Sequence, residues 1–319
     1  MNENDPILMQ RRPFGKTGLS VSPLGFGGAE IGFSDLEPVE IDDLLNTILD
    51  LGINVIDTAV AYDRSESLIG QSISRRRDEF VLISKCGRPY EESNAESWSP
   101  ELIASSIDRS LKLLQTDYLD VMFLHSCPLD VLKQGEALGA LVDACSAGKI
   151  RLVGYSGDSE AARFAAELSD VTVIETSVNI CDQKNIDDLL PICMKNNIGV
   201  MAKRPIANAA WRPVDTLPDR YRDYVKPYAQ RLRQMGLTPL DFGSDASHDQ
   251  FWPEMALRFC LTQPGVHCAI VGTTNLQHLK ANIAAVMNGP LGETSNNRLR
   301  TAFQKAEENA DDRPWLGLT

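Results

Sequence analysis

The chain holds only four histidines, His125, His248, His267 and His278, and no pair of them has the HxxxH spacing or a comparable one. That spacing sets two imidazoles on one helix face, so its absence leaves a metal centre without its usual ligands, and none is expected. Seven cysteines, at 86, 127, 145, 181, 193, 260 and 268, include no close CxxC pair. An odd, dispersed set reads as reduced thiols in a reducing compartment. No apolar run reaches the length of about 18 residues that a membrane helix needs. The start, MNENDPILMQRR, lacks a basic stretch followed by an apolar core, so no secretion signal is expected and the cytoplasm is the expected location. Positive charge is scarce as well: 31 Lys and Arg stand against 44 Asp and Glu, a net charge of −13, with no basic cluster. A nucleic-acid partner would need a basic surface and is not expected. An early GxGxxG, the mark of a Rossmann turn, is also missing.

What is present is ordinary for a globular protein, with 43% hydrophobic and 24% charged residues. At 319 residues the chain has room for two average domains, but α/β barrels commonly fill this length as one. A turn-rich segment over 10–23 reads as a hairpin that closes one end of a barrel. Apolar runs at 24–28, 53–56, 79–85, 119–125, 150–156, 171–177, 198–202 and 267–271 alternate with amphipathic stretches, for example Ile41, Leu44, Leu45 and Ile48 at helical spacing. Further helices are predicted over 100–114, 133–147, 159–168, 185–195, 254–263 and 275–286. A right-handed βα repeat that runs through eight strands closes into a (β/α)8 TIM barrel. The alternation breaks between Lys203 and Pro253, where five prolines, a charged segment near 219–234 and the polar stretch FGSDASHDQ lie. This insertion over 203–253, after the seventh strand, is expected to cover the mouth of the barrel. An extra helix is expected over 295–308.

The stretch that organises the rest is LGINVIDTAVAYDRSESLIG, residues 51–70. Its apolar run ends in Asp57, and small residues carry the chain to Tyr62. Two other runs end in Lys85 and His125. In alternating α/β folds the carboxyl ends of strands are where ligands bind and chemistry is done. Three strand ends thus bring an acid, an ammonium and an imidazole together with a phenol.

These four residues and their surroundings resemble the catalytic tetrad of the aldo-keto reductase family. The resemblance runs through nearly the whole chain, in GKTGLSVSPLGFGG, DTAVAY with SESLIG, LISK, SIDRSLKLLQTDYLDVMFLH, AGKIRLVGYS and GTTNLQHLKAN. It implies one barrel domain over 1–319 that interconverts an aldehyde or ketone and its alcohol with a nicotinamide cofactor. Tyr62 would be the general acid and base, Lys85 the cation that favours the ionised phenol, Asp57 the holder of Lys85, and His125 a hydrogen-bond partner of the substrate oxygen. A phenol with an ordinary pKa of about 10 is a poor donor near neutrality without such a cation. Nothing forms a nucleophile with an adjacent base, so hydrolysis has no support. Two other readings stay open: a cofactor-binding regulatory subunit of a partner protein, known among relatives, and a barrel isomerase or lyase, for which neither carbon-acid base nor metal site is evident.

Residues expected to bind the cofactor follow position by position. Ser156 in GYSG matches the serine that bonds the nicotinamide carboxamide, while Gly157 stands where an asparagine usually follows. Glu175 stands where a glutamine usually reads the carboxamide. Lys203 and Arg204 suit a pyrophosphate, and Gly28 allows a close approach of backbone to ligand. In GTTNLQHLKAN, a helix start makes an anion site from Gly272, Thr273, Thr274 and Asn275. His278 replaces the arginine of many NADPH-dependent members, Ala281 replaces a glutamate, and Asn282 is retained. NADP(H) is expected in preference to NAD(H), by a narrow margin. A small-molecule carbonyl or alcohol is the expected partner, and the substrate itself is not legible.

Overall fold

The computed structural model describes residues 9–91, 93–217 and 219–318. Pro218, one of the five prolines of the insertion, and most of the MNENDPILMQRR start lie outside the described residues. Eight parallel strands form a closed barrel: β3 (Leu24–Gly27), β4 (Val55–Asp57), β5 (Val81–Cys86), β6 (Leu119–His125), β7 (Ile150–Ser156), β8 (Val171–Ser177), β9 (Gly199–Lys203) and β10 (Cys268–Val271), with β10 pairing back onto β3. A short antiparallel hairpin of β1 (Arg12–Pro13) and β2 (Ser20–Val21) precedes them. This is the (β/α)8 barrel with its N-terminal hairpin.

Side chains alternate across each strand, so one set points into the barrel and the other meets the helices. The inner set forms an apolar cluster of Val55, Val81, Ile83, Val121, Phe123, Val173, Met201, Cys268 and Ile270. Phe14 and Val21 of the hairpin belong to the same cluster and seal its lower end. Gly154 makes room for Phe123, whose ring atoms would lie 2.4 Å from a Cβ at that position. Two residues further along the strands, the inner positions become Asp57, Lys85, His125, Glu175 and Lys203. Period two therefore sets the charged groups as a layer directly above the apolar one. The outer set packs against helices such as Pro38–Asp50, which buries Ile41, Leu44, Leu45, Ile48 and Leu49. Helix Pro100–Leu114 is capped by Ser99, whose Oγ accepts from Leu102 N at 3.2 Å.

Several boundaries differ from the sequence expectation. The strand predicted from 79 begins at Val81, because Ser74–Glu79 form a 3₁₀ helix. The helix predicted over 133–147 is two, Leu129–Gln134 and Glu136–Ser146, divided at Gly135 with φ +84°. The one over 185–195 also divides, into Lys184–Asp188 and Leu190–Lys195. The insertion is shorter than 203–253 at both ends. Lys203 belongs to β9, and Ser247 with Gln250 forms a capping box that starts helix His248–Thr262, so Pro253 lies inside that helix. Half of the predicted polar stretch FGSDASHDQ is thus helix or cap.

The insertion's main element, helix Asp219–Met235, packs Val225, Tyr228, Ala229 and Leu232 into a second cluster with Phe303 and Trp315. Helix Glu293–Glu308 supplies Phe303 and is the extra helix expected near 295–308. At the start of helix Asp219–Met235, Arg220 donates to Phe33 O at 3.2 Å from both terminal nitrogens and lies over the Phe33 ring. The insertion therefore touches the rim of the barrel mouth as well as the outer wall.

Candidate active site

Lys85 is at the centre of the charged layer, and its side chain is 1% exposed. Its Nζ donates to both carboxylate oxygens of Asp57 at 2.5 Å and to the Thr58 carbonyl at 3.0 Å. Glu175 Oε2 lies 3.5 Å away on the opposite side of the barrel. The same Nζ is 5.2 Å from the centroid of the Tyr62 ring. Tyr62 meets His125 edge to face at 5.9 Å between centroids and Phe33 at 6.4 Å. The sequence places three of these groups on strand ends and the fourth on the loop after β4, and closure of the barrel brings all four together.

Their protonation follows from burial and from each other. Burial pulls the Lys85 ammonium down, but Asp57, Glu175 and Tyr62 outweigh it and hold the group above the ordinary lysine range. Asp57 is pushed up to about 7, first by burial and then by Glu175, against the pull of Lys85. Burial and the cations Lys85, Lys203, Arg88 and Arg204 hold His125 well below the ordinary imidazole value, so its ring is neutral near pH 7. For Tyr62 the cation is one influence among several. Lys85 does pull the phenol down, but burial is the larger influence, Asp57 and Glu175 add to it, and the group is pushed up to about 12. The phenol therefore keeps its proton in this state of the protein.

Ser156, on β7, donates to Glu175 Oε2 at 2.6 Å, so the two predicted carboxamide contacts are one hydrogen-bonded unit. Gly157 has no room for the asparagine usual there, since a Cβ would lie 2.6 Å from the Tyr155 hydroxyl. At Gly28 a Cβ would meet Ser65 Oγ at 2.6 Å, and the Gly28 N–H donates to Asp57 O at 2.7 Å. Lys203 is not a loose rim charge. It pairs with Asp158 at 3.0 Å, and Asp158 also accepts from Thr176 Oγ1, Ser177 N and Asn185 Nδ2. Asp158, the partner of Lys203, is not singled out in the sequence reading; the available signal was an acid just past a strand end, in GYSGDS. Arg204, with φ +54°, bonds the carbonyl of Leu318 and lies over the Tyr224 ring.

The remaining predicted contacts gather at the start of helix Leu276–Met287. Asn275 caps it, with Oδ1 accepting from Gln277 N at 2.8 Å. Thr273 is buried and Asn282, two turns on, is 7% exposed, while Thr274 and His278 are exposed beside the first turn. First-turn N–H groups have no partner within a helix, which makes this end attractive to an anion. Gly272 sits against Glu30, whose Cγ would be 2.9 Å from a Cβ there. Among the described residues no group of three or more His, Cys, Asp or Glu could hold a metal ion, and no helix is long and apolar enough to cross a membrane.

Residues 23–303 match the sequence profile of the Aldo/keto reductase family. An L-galactose dehydrogenase of Arabidopsis thaliana is 27% identical, over 87% of this chain and 88% of its own. An NADH-specific methylglyoxal reductase of Escherichia coli is also 27% identical, over 87% and 94%. Among solved structures, the aldo-keto reductase AKR11C1 from Bacillus halodurans in its holo form aligns with a TM-score of 0.75 at 25% identity, over 92% of this chain and 96% of that one.

Proposed function

This chain belongs to the aldo/keto reductase family, and on that premise we propose that it is a nicotinamide-dependent oxidoreductase interconverting an aldehyde or ketone and its alcohol. The observation that carries the reading is the buried Lys85 ammonium, fixed by Asp57 at 2.5 Å, with the Tyr62 ring centroid 5.2 Å from it and a neutral His125 edge to face with that ring at 5.9 Å. The reaction class falls among oxidoreductases acting on alcohol and carbonyl groups. The whole chain serves this one site as a single domain.

The residues present suit a nicotinamide dinucleotide. Ser156 and Glu175 offer acceptors for an amide N–H deep in the barrel, Lys203 and Arg204 lie at the end of β9, and the start of helix Leu276–Met287 offers N–H groups to a phosphate. When bound, the cofactor supplies or accepts the hydride. The protein's part is the proton. Tyr62 gives it to the substrate oxygen as that oxygen gains charge, and Lys85 then stabilises the phenolate left behind. A phenol at about 12 is a weak acid, so Lys85 must offset most of the cost of that charge. Asp57 keeps Lys85 protonated and pointed inward. His125, neutral, can donate one hydrogen bond to the same substrate oxygen without competing for its proton. Phe33 and the Arg220 end of the insertion border the entrance.

NADP(H) is preferred over NAD(H), by a small margin. An added phosphate finds the helix end, Thr274 and His278, but no guanidinium fork. His278→Arg should strengthen NADPH binding by about tenfold while leaving NADH within about twofold, because only the phosphate meets the new bidentate donor. Fluorescence-quenching titrations with both cofactors check this. NADH tighter than NADPH in the wild type, or equal strengthening of both in the variant, would count against it. The buried, unpaired cysteines suit a reducing compartment, and the cytoplasm is proposed. The net charge of −13 suits a small-molecule substrate rather than nucleic acid.

A further inference from the structure

Lys85 has two carboxylates where one would hold it. Asp57 already contacts Nζ through both oxygens at 2.5 Å, and the Thr58 carbonyl adds a third contact at 3.0 Å. Glu175 stands 3.5 Å away, 3% exposed, and accepts from Ser156 Oγ at 2.6 Å. A glutamine of the same length would accept that hydroxyl through its amide oxygen. What glutamate adds at this position is therefore charge, in a place where burying charge is costly. Among the described residues Lys85 is the ion-pair partner of Glu175, and Asp57 already holds it, while Lys203 is paired with Asp158 at 3.0 Å and His125 is neutral.

We propose that Glu175 is a positioning residue that biases the bound nicotinamide toward its oxidised form, by adding a second carboxylate to the buried Asp57–Lys85 pair. The inference rests on the reading that Ser156 and Glu175 border the nicotinamide. The oxidised ring carries a positive charge and the reduced ring carries none, while their shapes are nearly the same. A fixed negative charge in a dry site separates the two. The hydride takes an electron pair to the carbonyl carbon, Tyr62 supplies the proton to oxygen, and the positive charge left on the ring faces Glu175. The same charge thus makes the bound reduced cofactor a stronger hydride donor and favours carbonyl reduction on the protein.

The test is binding. Dissociation constants for NADP+ and NADPH are measured by calorimetry at about pH 8.5, above the Asp57 value of about 7, on wild type and on Glu175→Gln, with a thermal melt to establish that the variant is folded. The wild type should bind NADP+ more tightly than NADPH, and the substitution should move the ratio of the two constants toward NADPH by about tenfold or more, as expected for a unit charge several ångström away at an effective dielectric near 20. A general loss of packing would weaken both cofactors together and leave the ratio where it was. An unchanged ratio in a folded variant overturns the inference while leaving the cofactor reading intact. If the variant does not fold, the wild type decides, and NADPH bound more tightly than NADP+ overturns it. If neither cofactor binds the wild type, the proposed function falls and takes this inference with it.

Discussion

Tyr62→Phe should lower carbonyl reduction by roughly 10²- to 10⁴-fold in turnover, the ordinary worth of a positioned general acid, and leave the dissociation constant for NADPH within about twofold. The substitution removes one hydroxyl from a ring that is held by His125 at 5.9 Å and Phe33 at 6.4 Å, so the ring itself should stay in place. The lost group acts on the substrate oxygen and not on the dinucleotide, which separates turnover from cofactor affinity. Wild-type Tyr62 is pushed up to about 12, so below that value the phenol holds its proton and reduction should not depend on its titration across neutral pH. Steady-state rates with a saturating aldehyde, together with a cofactor titration of the same preparation, check both halves. A variant that turns over within a few-fold of wild type would remove Tyr62 from the chemistry.

Lys85→Met should cost both activity and stability, and the stability loss should depend on pH. Methionine fills nearly the volume of lysine, so the main effect is electrostatic. It leaves Asp57 and Glu175, each 3% exposed, without the ammonium between them. Removing one member of a buried pair typically costs about 3–5 kcal/mol, since the remaining charge is left unpaired. Asp57 is already raised to about 7 in the presence of Lys85, and Lys85 is among the influences holding it down. Without Lys85 it should rise further. A carboxyl raised above its unfolded value of about 3.9 takes up a proton on folding, so its contribution to stability is present at low pH and is lost as pH rises through the folded value. The melting temperature of the variant should therefore approach that of wild type near pH 5 and fall well below it near pH 8. Parallel melting curves across that range decide the point; a constant difference at every pH would contradict the assignment of Asp57 and Glu175 to the same buried charge cluster as Lys85.

The barrel was legible because its strands are mostly buried and so read as short apolar runs, such as FVLI before Lys85 and VMFL before His125. The tetrad was legible for a related reason: a charged residue at the end of such a run must lie at the strand's open end, and period two then aims it inward. Glu175 and Ser156 follow the same rule. The partners of Lys203 and Arg204 do not. Asp158 lies 45 residues before Lys203 in sequence, and Leu318 lies 114 residues after Arg204, so only closure of the barrel and the path of the last residues bring them together. The helix start at His248 was hidden by Pro253, which looks like a breaker until the capping box at Ser247 is seen six residues earlier. The sign of the Tyr62 shift depends on a balance between desolvation and a nearby cation, and the first of these is a property of packing that no spacing reveals.

Transfer of label from cofactor to product tests the proposed reaction most directly. Wild-type protein is incubated with NADPH carrying deuterium at the reactive ring carbon and, in turn, with a panel of small aldehydes, α-dicarbonyls, aldoses and cyclic ketones, and products are read by mass spectrometry. The expected result is one deuterium on the former carbonyl carbon of at least one alcohol product, with the rate of transfer from the same cofactor lowered by roughly 10²- to 10⁴-fold in Tyr62→Phe. Saturable binding of NADPH with no deuterium transferred to any carbonyl, and no reduction of NADP+ by the corresponding alcohols, would contradict it and leave a barrel that holds a cofactor without catalysing its oxidation.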